Sequence, residues 1–230
     1  MPGETRTPWG IINLDKPAGM SSAAAVAAVK RLLPRGTKVG HAGTLDPFAT
    51  GVLVLLVGRA TRLSELFMSQ PKQYQATVKL GSTTQTLDPT SPEIPTPGAS
   101  QVPLEAIAAL LPSFVGQIQQ VPPAYSALWI DGRRAYDLAR SGQAVTPKAR
   151  PVQVYGIEML SYDWPLLRLR IDCGKGTYIR ALARDIGSAL GVGGYLTELR
   201  RTRVGVCAID GAVSLDQLAA GIHRHILPAT

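Results

Sequence analysis

With 230 residues, of which 45% are hydrophobic and 17% charged, the chain suits one large or two small folded domains and excludes an intrinsically disordered protein. Its 24 Lys and Arg residues against 16 Asp and Glu residues give a net charge of +8, which favours a polyanionic partner, although basic residues can also serve solubility alone. Nucleic acid is a better choice than an anionic membrane, because even the strongly apolar run over residues 52–57 is far too short to span a bilayer and residues 1–8 contain no apolar signal-peptide core.

The first part of the chain alternates short strands and helices with polar segments. Ser21 or Ser22 can cap a helix that Pro34 ends, because a hydroxyl group accepts from the free N–H groups of a first helical turn. The predicted elements are, in order, a strand over residues 10–14, a helix over 23–31, a polar loop over 34–50, a buried strand over 52–57, a helix over 59–68, a half-buried strand over 74–80 and a long surface loop over 82–103.

The second part continues the same irregular alternation. It predicts a helix over residues 104–111, strands over 126–130 and 152–160, a helix near 135–140, a strand over 166–173, a helix from a Thr177 cap to Leu190, a strand over 195–206 and a last helix capped by Ser214. Because several neighbouring strands are joined by short turns, we expect an α+β fold with a mixed, largely antiparallel sheet flanked by helices.

Cysteine and histidine positions argue against a disulfide framework and a metal site. Cys173 and Cys207 are too few for a framework, so we expect reduced, buried thiols of a cytosolic protein. His41, His223 and His225 lack the spacing to other ligands that zinc requires, and we expect the last two in a frayed surface tail.

Two glycine-rich segments match nucleotide-binding motifs only in part. Residues 191–196 lack the third glycine of a dinucleotide fingerprint, and residues 174–177 lack the earlier glycine of a phosphate loop. A Ser-His-Asp triad stays open because its order along a chain is free, although there is no Gly-x-Ser-x-Gly elbow. We therefore expect no cofactor.

Residues 40–51 combine an acidic residue with a tightly turning backbone. Asp46 precedes Pro47, which favours an extended conformation at Asp46, and three glycines let the segment turn sharply. A carboxylate on such a loop in front of a buried strand is well placed as a nucleophile. Asp-Pro is also common turn chemistry, and the local pattern by itself favours the turn.

Six separate segments follow one another in a recognisable order. They are residues 14–22 (LDKPAGMSS), 40–51 (GHAGTLDPFATG), 72–74 (KQY), 121–127 (VPPAYSA), 176–180 (GTYIR) and 199–201 (LRR). In this order they resemble the motifs of the TruB family, the bacterial tRNA pseudouridine-55 synthases, over roughly residues 10–218. Several matches in order are far more specific than any one of them.

This resemblance implies three catalytic residues. Asp46 would be the catalytic carboxylate, Tyr74 would stack on the target uracil, and Arg180 would pair with Asp46. An aromatic face suits a base that must leave its stack, and a cation offsets the desolvation of a carboxylate in a dry pocket.

Five further residues would bind the substrate or support the site. His41 would hold the flipped-out nucleotide, Tyr178 would shape the pocket, Leu199 would line it, Lys16 would support the catalytic loop, and Asp88 keeps an acidic position of the family. The sequence departs from the family at Gln85, where many bacterial members carry an acidic residue.

The resemblance also implies the organisation and the partner. We expect a pseudouridine-synthase-like catalytic domain over residues 8–220 with an RNA-gripping insertion over 121–150, a C-terminal tail over 221–230 and no full C-terminal PUA domain. The family isomerises uridine 55 in the T-loop of tRNA, so the T-arm stem-loop of tRNA is the expected partner, and substrate and product are isomers that require no cofactor or metal. A cytoplasmic monomer without membrane contact or an obligate protein partner follows from the same resemblance.

Other interpretations stay open. The fold could serve a non-catalytic RNA-folding protein, or a guide-RNA-dependent relative that modifies ribosomal RNA with protein partners. Tyr74 and Leu199 could be core residues. A set of basic residues could form either a solvated charged face or phosphate contacts; these are Arg133, Arg134, Lys148, Arg150, Arg200, Arg201 and Arg203. An arginine at a helix N-terminus is electrostatically unfavourable, which by itself predicts an acidic partner for Arg180.

Overall fold

A computed structural model describes residues 8–126, 129–130, 133–134 and 147–229. These residues divide into two compact units, the first formed by residues 8–74 and 200–229 and the second by residues 75–199. The predicted helix near residues 135–140 and most of the predicted insertion over 121–150 lie outside the described residues.

The described residues contain thirteen strands and five α-helices. The strands are β1 (Gly10–Lys16), β2 (Val39–His41), β3 (Thr50–Val57), β4 (Lys72–Leu80), β5 (Ser82–Thr84), β6 (Glu93–Pro95), β7 (Gly116–Gln120), β8 (Trp129–Ile130), β9 (Arg133–Arg134), β10 (Arg150–Asp163), β11 (Leu166–Cys173), β12 (Gly194–Val204) and β13 (Cys207–Ala208). The α-helices are α1 (Ser22–Arg31), α2 (Ser64–Ser69), α3 (Leu104–Leu110), α4 (Ile179–Ala189) and α5 (Leu215–Gly221).

Strand β3 is the centre of the sheet in the first unit. Its run of valines and leucines is almost completely buried, as the apolar sequence predicts. β1 pairs with β3 in antiparallel fashion along its whole length, and β2 also pairs with β3 in antiparallel fashion. β12 runs parallel to β3 and places Arg201 opposite Gly51.

Gly51 allows β3 and β12 to approach closely. Its φ angle is +99°, and a Cβ atom there would lie 2.2 Å from the Arg201 carbonyl oxygen. Only glycine accommodates both the positive φ angle and this contact. The start of β3, which directly follows the Asp46 loop, is therefore held against the backbone of Arg201.

Helices and turns cover the sheet of the first unit. One hydrophobic cluster joins residues of β1, β3, β12 and β13, and its buried members are Ile11, Ala42, Val52, Val54, Leu56, Ala60, Val204 and Cys207. Helix α5 contacts both α1 and β1. Cys173 and Cys207 are both buried, as predicted, and neither forms a disulfide bond within the described part of the chain.

In the second unit the strand order is β12-β4-β11-β10-β7. β10 pairs in antiparallel fashion with both β11 and β7, and two register shifts interrupt its pairing with β11. Together with the antiparallel pairs of the first unit, this confirms the predicted mixed, largely antiparallel sheet flanked by helices.

Short strands such as β2, β5, β6 and β7 lie where the sequence predicted a loop or no element. β2 lies in the predicted loop over residues 34–50, and β5 and β6 form a two-stranded ladder within the predicted surface loop over 82–103. β7 was not predicted and lies beside β10, where only the tertiary pairing stabilises it. Such segments are too short for a readable apolar period.

The predicted helix caps are partly right. Ser21 caps α1 by accepting from the amide of Ala24, and Ser214 forms a capping box with Gln217 at α5. The prediction of Thr177 as a cap is wrong, since α4 begins after Tyr178 and the Thr177 hydroxyl donates to the Gly174 carbonyl instead.

The C-terminal segment is ordered against β1. A 3₁₀ helix spans Ile222–His225, and Leu227 exchanges two backbone hydrogen bonds of 2.8 and 2.9 Å with Ile11. The expected frayed tail at His223 and His225 is therefore wrong, because the backbone beyond it pairs with a strand edge. The division into a catalytic domain over residues 8–220 and a tail over 221–230 stays a prediction.

Among the described residues, no helix combines the length and the apolar character that crossing a bilayer demands.

Candidate active site

The segment that contains Asp46 connects β2 to β3 and is held along most of its backbone. The amide of Ala42 donates to the Val54 carbonyl at 2.9 Å, and the amide of Ala49 closes a turn by donating to the Asp46 carbonyl at 3.1 Å. The Pro47 carbonyl accepts from the amide of Gly19 at 2.8 Å. Asp46 itself is half-buried, and its carboxylate is thus presented by a backbone with little freedom to move.

Ser22 holds the residue that precedes Asp46. Its buried hydroxyl accepts from the Leu45 amide at 2.9 Å and donates to the Leu45 carbonyl at 3.0 Å. Of the two serines that could cap α1, Ser21 is the cap, which leaves Ser22 for this contact. The first turn of α1 and the Asp46 loop are thereby tied together.

Lys16 lies at the end of β1 and is completely buried. Its ammonium group donates to the carbonyl groups of Pro17 at 2.8 Å, Met20 at 2.7 Å and Pro47 at 3.4 Å. Burial lowers the pKa of Lys16 to about 8, while the charge of Asp46 raises this pKa and the charge of Arg201 lowers it. The expected support of the catalytic loop by Lys16 agrees with these bonds.

Arg201 is a second buried cation beside the same loop, with 1% of its surface exposed. Its guanidinium donates to the carbonyl groups of Val52 at 2.7 Å, Gly43 at 3.1 Å and Thr44 at 3.5 Å. Both sequence interpretations of Arg201, a solvated charged face and a phosphate contact, are therefore wrong, because the strand alternation turns this side chain inward.

The neighbouring Arg200 points to the opposite face of β12. It forms a two-pronged ion pair with Asp15 at 2.8 and 3.2 Å, with 39% and 35% of the two side chains exposed. Its guanidinium also donates to the Thr50 hydroxyl at 3.3 Å. Adjacent arginines of one motif thus have different surroundings.

Tyr74 and His41 belong to the same unit as Asp46. Tyr74 lies on β4 with 8% of its surface exposed, and His41 ends β2 and is half-buried. Burial of this degree suits both an aromatic wall of a pocket and a core residue, so the proposed stacking on uracil stays a prediction.

In the second unit, Arg180 in the first turn of α4 pairs with Asp88. The guanidinium lies 3.1 Å from the carboxylate, and only 5% and 6% of the two side chains are exposed. Arg180 also donates to the carbonyl groups of Thr86 at 2.8 Å and Tyr125 at 2.9 Å. An acidic partner for Arg180, predicted from its place at a helix N-terminus, is thereby confirmed, and it is Asp88.

Asp88 is itself fixed by its neighbours. Its carboxylate accepts from the Thr86 hydroxyl at 2.6 Å, the Thr90 amide at 3.0 Å and the Thr90 hydroxyl. These bonds make Asp88 a positioned anion beside Arg180. The expected pairing of Arg180 with Asp46 joins residues of the two units and stays a prediction.

Tyr178, directly before α4, is held by Gln120 and Arg150. The amide of the buried Gln120 accepts from the Tyr178 N–H at 2.8 Å and donates to the Tyr178 carbonyl at 3.2 Å. The Arg150 guanidinium lies 5.1 Å from the centre of the Tyr178 ring and donates to the Gly176 carbonyl at 2.8 Å. Leu199, on β12 of the same unit, is buried with 7% exposure.

The sequence did not predict three residues that hold the backbone of the proposed site residues. Ser22 and Arg201 hold the Asp46 loop, and Gln120 holds Tyr178. Ser22 and Arg201 do lie inside the motif segments, but no local signal assigns their contacts to the Asp46 loop. Within the described parts of the chain, no group of three or more histidine, cysteine or acidic residues could hold a metal ion.

Family models cover nearly the whole chain. Residues 30–179 match the model described as "TruB family pseudouridylate synthase (N terminal domain)". The chain belongs to the TruB family of pseudouridylate synthases. Residues 180–228 match a second model, "tRNA pseudouridylate synthase B C-terminal domain". The family predicted from six short motifs is thereby confirmed.

Curated TruB relatives are almost half identical to this chain over the residues that align. A protein of Aromatoleum aromaticum named tRNA pseudouridine synthase B is 47% identical over 211 residues, which cover 92% of this chain and 68% of that protein. A protein of Mycobacterium bovis with the same name is 49% identical over 214 residues, covering 91% of this chain and 72% of that protein. The predicted enzyme class, a tRNA pseudouridine synthase and thus an isomerase, is confirmed by these relatives.

Solved structures of related proteins have the same fold. A chain in a crystal structure of a Cbf5-Nop10-Gar1 complex superposes with a TM-score of 0.72 and 33% identity, covering 93% of this chain and 54% of that one. A chain in a structure of an H/ACA RNP bound to a substrate RNA containing 2'-deoxyuridine gives a TM-score of 0.69 and 31% identity. This TruB chain spans about half the length of those proteins.

Proposed function

We propose that this TruB protein isomerises uridine 55 in the T-loop of tRNA to pseudouridine, with Asp46 as the catalytic carboxylate. The observation that supports this most directly is the Asp46 loop itself. It presents a half-buried carboxylate on a backbone held by Ser22, Lys16 and Arg201, in a chain whose relatives are named tRNA pseudouridine synthase B.

The reaction breaks the N1–C1′ bond of uridine, turns the uracil and forms a C5–C1′ bond. The proton on C5 is lost and N1 gains a proton, so substrate and product are isomers. The Asp46 carboxylate either attacks C1′ as a nucleophile or acts on the ribose as a base. Both routes require an ionised carboxylate at a fixed position, and the ammonium group of Lys16, whose charge interacts with that of Asp46, favours that charge state.

The remaining proposed roles follow from the resemblance of the motifs to those of the family. Tyr74 stacks on the flipped uracil, and His41 holds the nucleotide that leaves the loop. Tyr178 and Leu199 form part of the pocket wall. Arg180, positioned by Asp88, pairs with Asp46 and offsets the cost of desolvating the carboxylate.

The proposed partner is the T-arm stem-loop of tRNA, bound by a monomer in the cytoplasm without an obligate protein partner or a membrane. The basic excess of the chain supports phosphate contacts, whose affinity falls as salt rises. The grip on the stem-loop is assigned to residues 121–150. The likeness to a chain of the Cbf5-Nop10-Gar1 complex favours one rival, a protein that acts only with partners.

The test is turnover by the purified chain alone. An unmodified tRNA transcript carrying tritium at C5 of its uridines should release tritium when pseudouridine forms. The pseudouridine should map to nucleotide 55 of the tRNA. Asp46→Asn should abolish release and leave tRNA affinity nearly unchanged, because the substitution removes the charge and keeps the shape. Asp163→Asn, at the exposed last residue of β10, is the control and should behave like the wild type.

Each rival predicts a different result. Tritium release only after protein partners and a guide RNA are added would identify the partner-dependent rival. A wild-type protein that binds tRNA and never releases tritium would contradict the proposed function and leave an RNA-folding role. Release by Asp46→Asn at the wild-type rate would remove Asp46 from the chemistry.

A further inference from the structure

Arg201 has no opening to solvent through which it could reach an RNA phosphate. With 1% of its surface exposed, it is one of the largest completely buried side chains among the described residues. A buried guanidinium must be compensated by hydrogen bonds or by charge, because desolvation of an unpaired ion costs several kcal/mol. The groups that compensate Arg201 therefore indicate what it does.

The Arg201 guanidinium donates to backbone carbonyl groups at two places. Nε donates to Val52, in β3, while the two terminal nitrogens donate to Gly43 and Thr44, which lie three and two residues before Asp46. The planar fork of arginine presents several N–H donors in fixed directions, so one side chain ties the entry of the Asp46 loop to the strand that follows it. A lysine has the charge without this fork.

The backbone around Arg201 is shaped for this contact. Gly51 lets the Arg201 carbonyl approach the start of β3, and Gly43, with a φ angle of +100°, would place a Cβ atom 3.7 Å from the Arg201 terminal nitrogen. Gly51 is required for this close approach of the two backbones, whereas Gly43 is required by its positive φ angle and would leave ordinary van der Waals room beside the guanidinium. Arg201 also lies close enough to Lys16 for its charge to act on that ammonium group.

We propose that Arg201 is a positioning residue, which fixes the Asp46 carboxylate by holding the carbonyl groups of Gly43 and Thr44 and does not contact RNA. This inference rests on the proposed function of Asp46. It separates Arg201 from Arg200 in the same motif, whose side chain is more than one-third exposed and paired with Asp15.

The first experiment compares Arg201→Lys with the wild type and with Arg170→Lys, a control at an exposed ion pair. Under single-turnover conditions at saturating enzyme, Arg201→Lys should slow pseudouridine formation by about 100-fold, since small misplacements of a catalytic group have effects on this order. Its tRNA affinity and the salt dependence of that affinity should equal those of the wild type, because no phosphate contact is lost. Arg170→Lys should leave all three quantities unchanged.

The second experiment restores the missing group. Arg201→Gly leaves a space of guanidinium shape below the loop, so millimolar guanidinium chloride should raise its single-turnover rate, whereas sodium chloride at equal ionic strength should not. Hydrogen exchange of the peptide spanning residues 40–50 should be faster in both variants than in the wild type and should slow again when guanidinium is added to Arg201→Gly.

Three results would overturn the proposal. The first is turnover by Arg201→Lys at the wild-type rate. The second is a loss of tRNA affinity with a weaker salt dependence, which would identify a phosphate contact. The third is failure of every Arg201 variant to fold, judged by urea denaturation, which would make the residue structural only. Should the wild-type protein itself form no pseudouridine, the proposed function fails, and the hydrogen exchange of residues 40–50 still reports whether Arg201 holds the loop.

Discussion

Arg180 and Asp88 form a buried ion pair, with 3.1 Å between the guanidinium and the carboxylate and 5% and 6% of the two side chains exposed. Removing one charge of a buried pair leaves the other poorly compensated in a medium of low dielectric constant. Asp88→Asn keeps the shape and removes the charge, so we expect the free energy of unfolding to fall by about 3 kcal/mol. Urea denaturation at neutral pH measures this change.

The matched control is Glu158→Gln, which removes the acidic partner of Arg170 from an exposed pair. Solvent screens such pairs, so the expected loss is at most about 1 kcal/mol. Equal effects of the two substitutions would contradict the assigned importance of the Arg180–Asp88 pair.

Lys16 predicts a pH dependence of stability. Its pKa falls to about 8 in the folded protein from a usual value of 10.5. Below pH 8 the amine is protonated in both states and contributes no pH dependence. Between pH 8 and 10.5 the unfolded chain retains the proton that the folded chain has lost, so raising the pH in this window stabilises the folded state.

The comparison with Lys16→Met isolates this effect, because other groups titrate equally in both proteins. The difference in free energy of unfolding, wild type minus Lys16→Met, should rise by roughly 2 kcal/mol from pH 7 to pH 10. Urea titrations at several pH values measure it. A difference that stays constant or falls with pH would show that burial does not lower the pKa of this lysine.

The pairing of Gln120 with the Tyr178 backbone should stabilise the folded protein. Its side-chain amide pairs with both the N–H and the carbonyl of Tyr178, and it is buried with 1% exposure. Gln120→Ala leaves both groups without this partner, so we expect a loss of about 2 kcal/mol in the free energy of unfolding and faster hydrogen exchange at the Tyr178 amide. Pseudouridine formation should slow as well, because Gln120 holds the start of α4, where the proposed site residues Tyr178 and Arg180 lie.

Gln119→Ala is the control, since Gln119 is the exposed neighbour on the same strand. It should change the free energy of unfolding by less than about 0.5 kcal/mol. Unchanged exchange at the Tyr178 amide in Gln120→Ala would refute the assigned role of Gln120.

The family, the reaction class and the long elements could be predicted from the sequence. The apolar run of β3 and the alternation of β11 predict these two strands. The order of the motifs around Asp46 and Arg180 can likewise be recognised in the sequence of one chain. The acidic partner of Arg180 was also predictable in kind, because a cation at a helix N-terminus needs compensation. Each of these features has a local signal, so the sequence by itself was enough to predict it.

Only the tertiary structure decided which residues hold the site. Arg201 contacts Gly43 across 158 positions of the chain, and Gln120 contacts Tyr178 across 58. No local sequence pattern distinguishes an arginine or glutamine in solvent from one that is buried and holds a distant backbone segment. The short strand β7 likewise depends on its pairing with β10. Hydrogen bonds between distant backbone groups depend on how the strands align, and that alignment exists only in the folded chain.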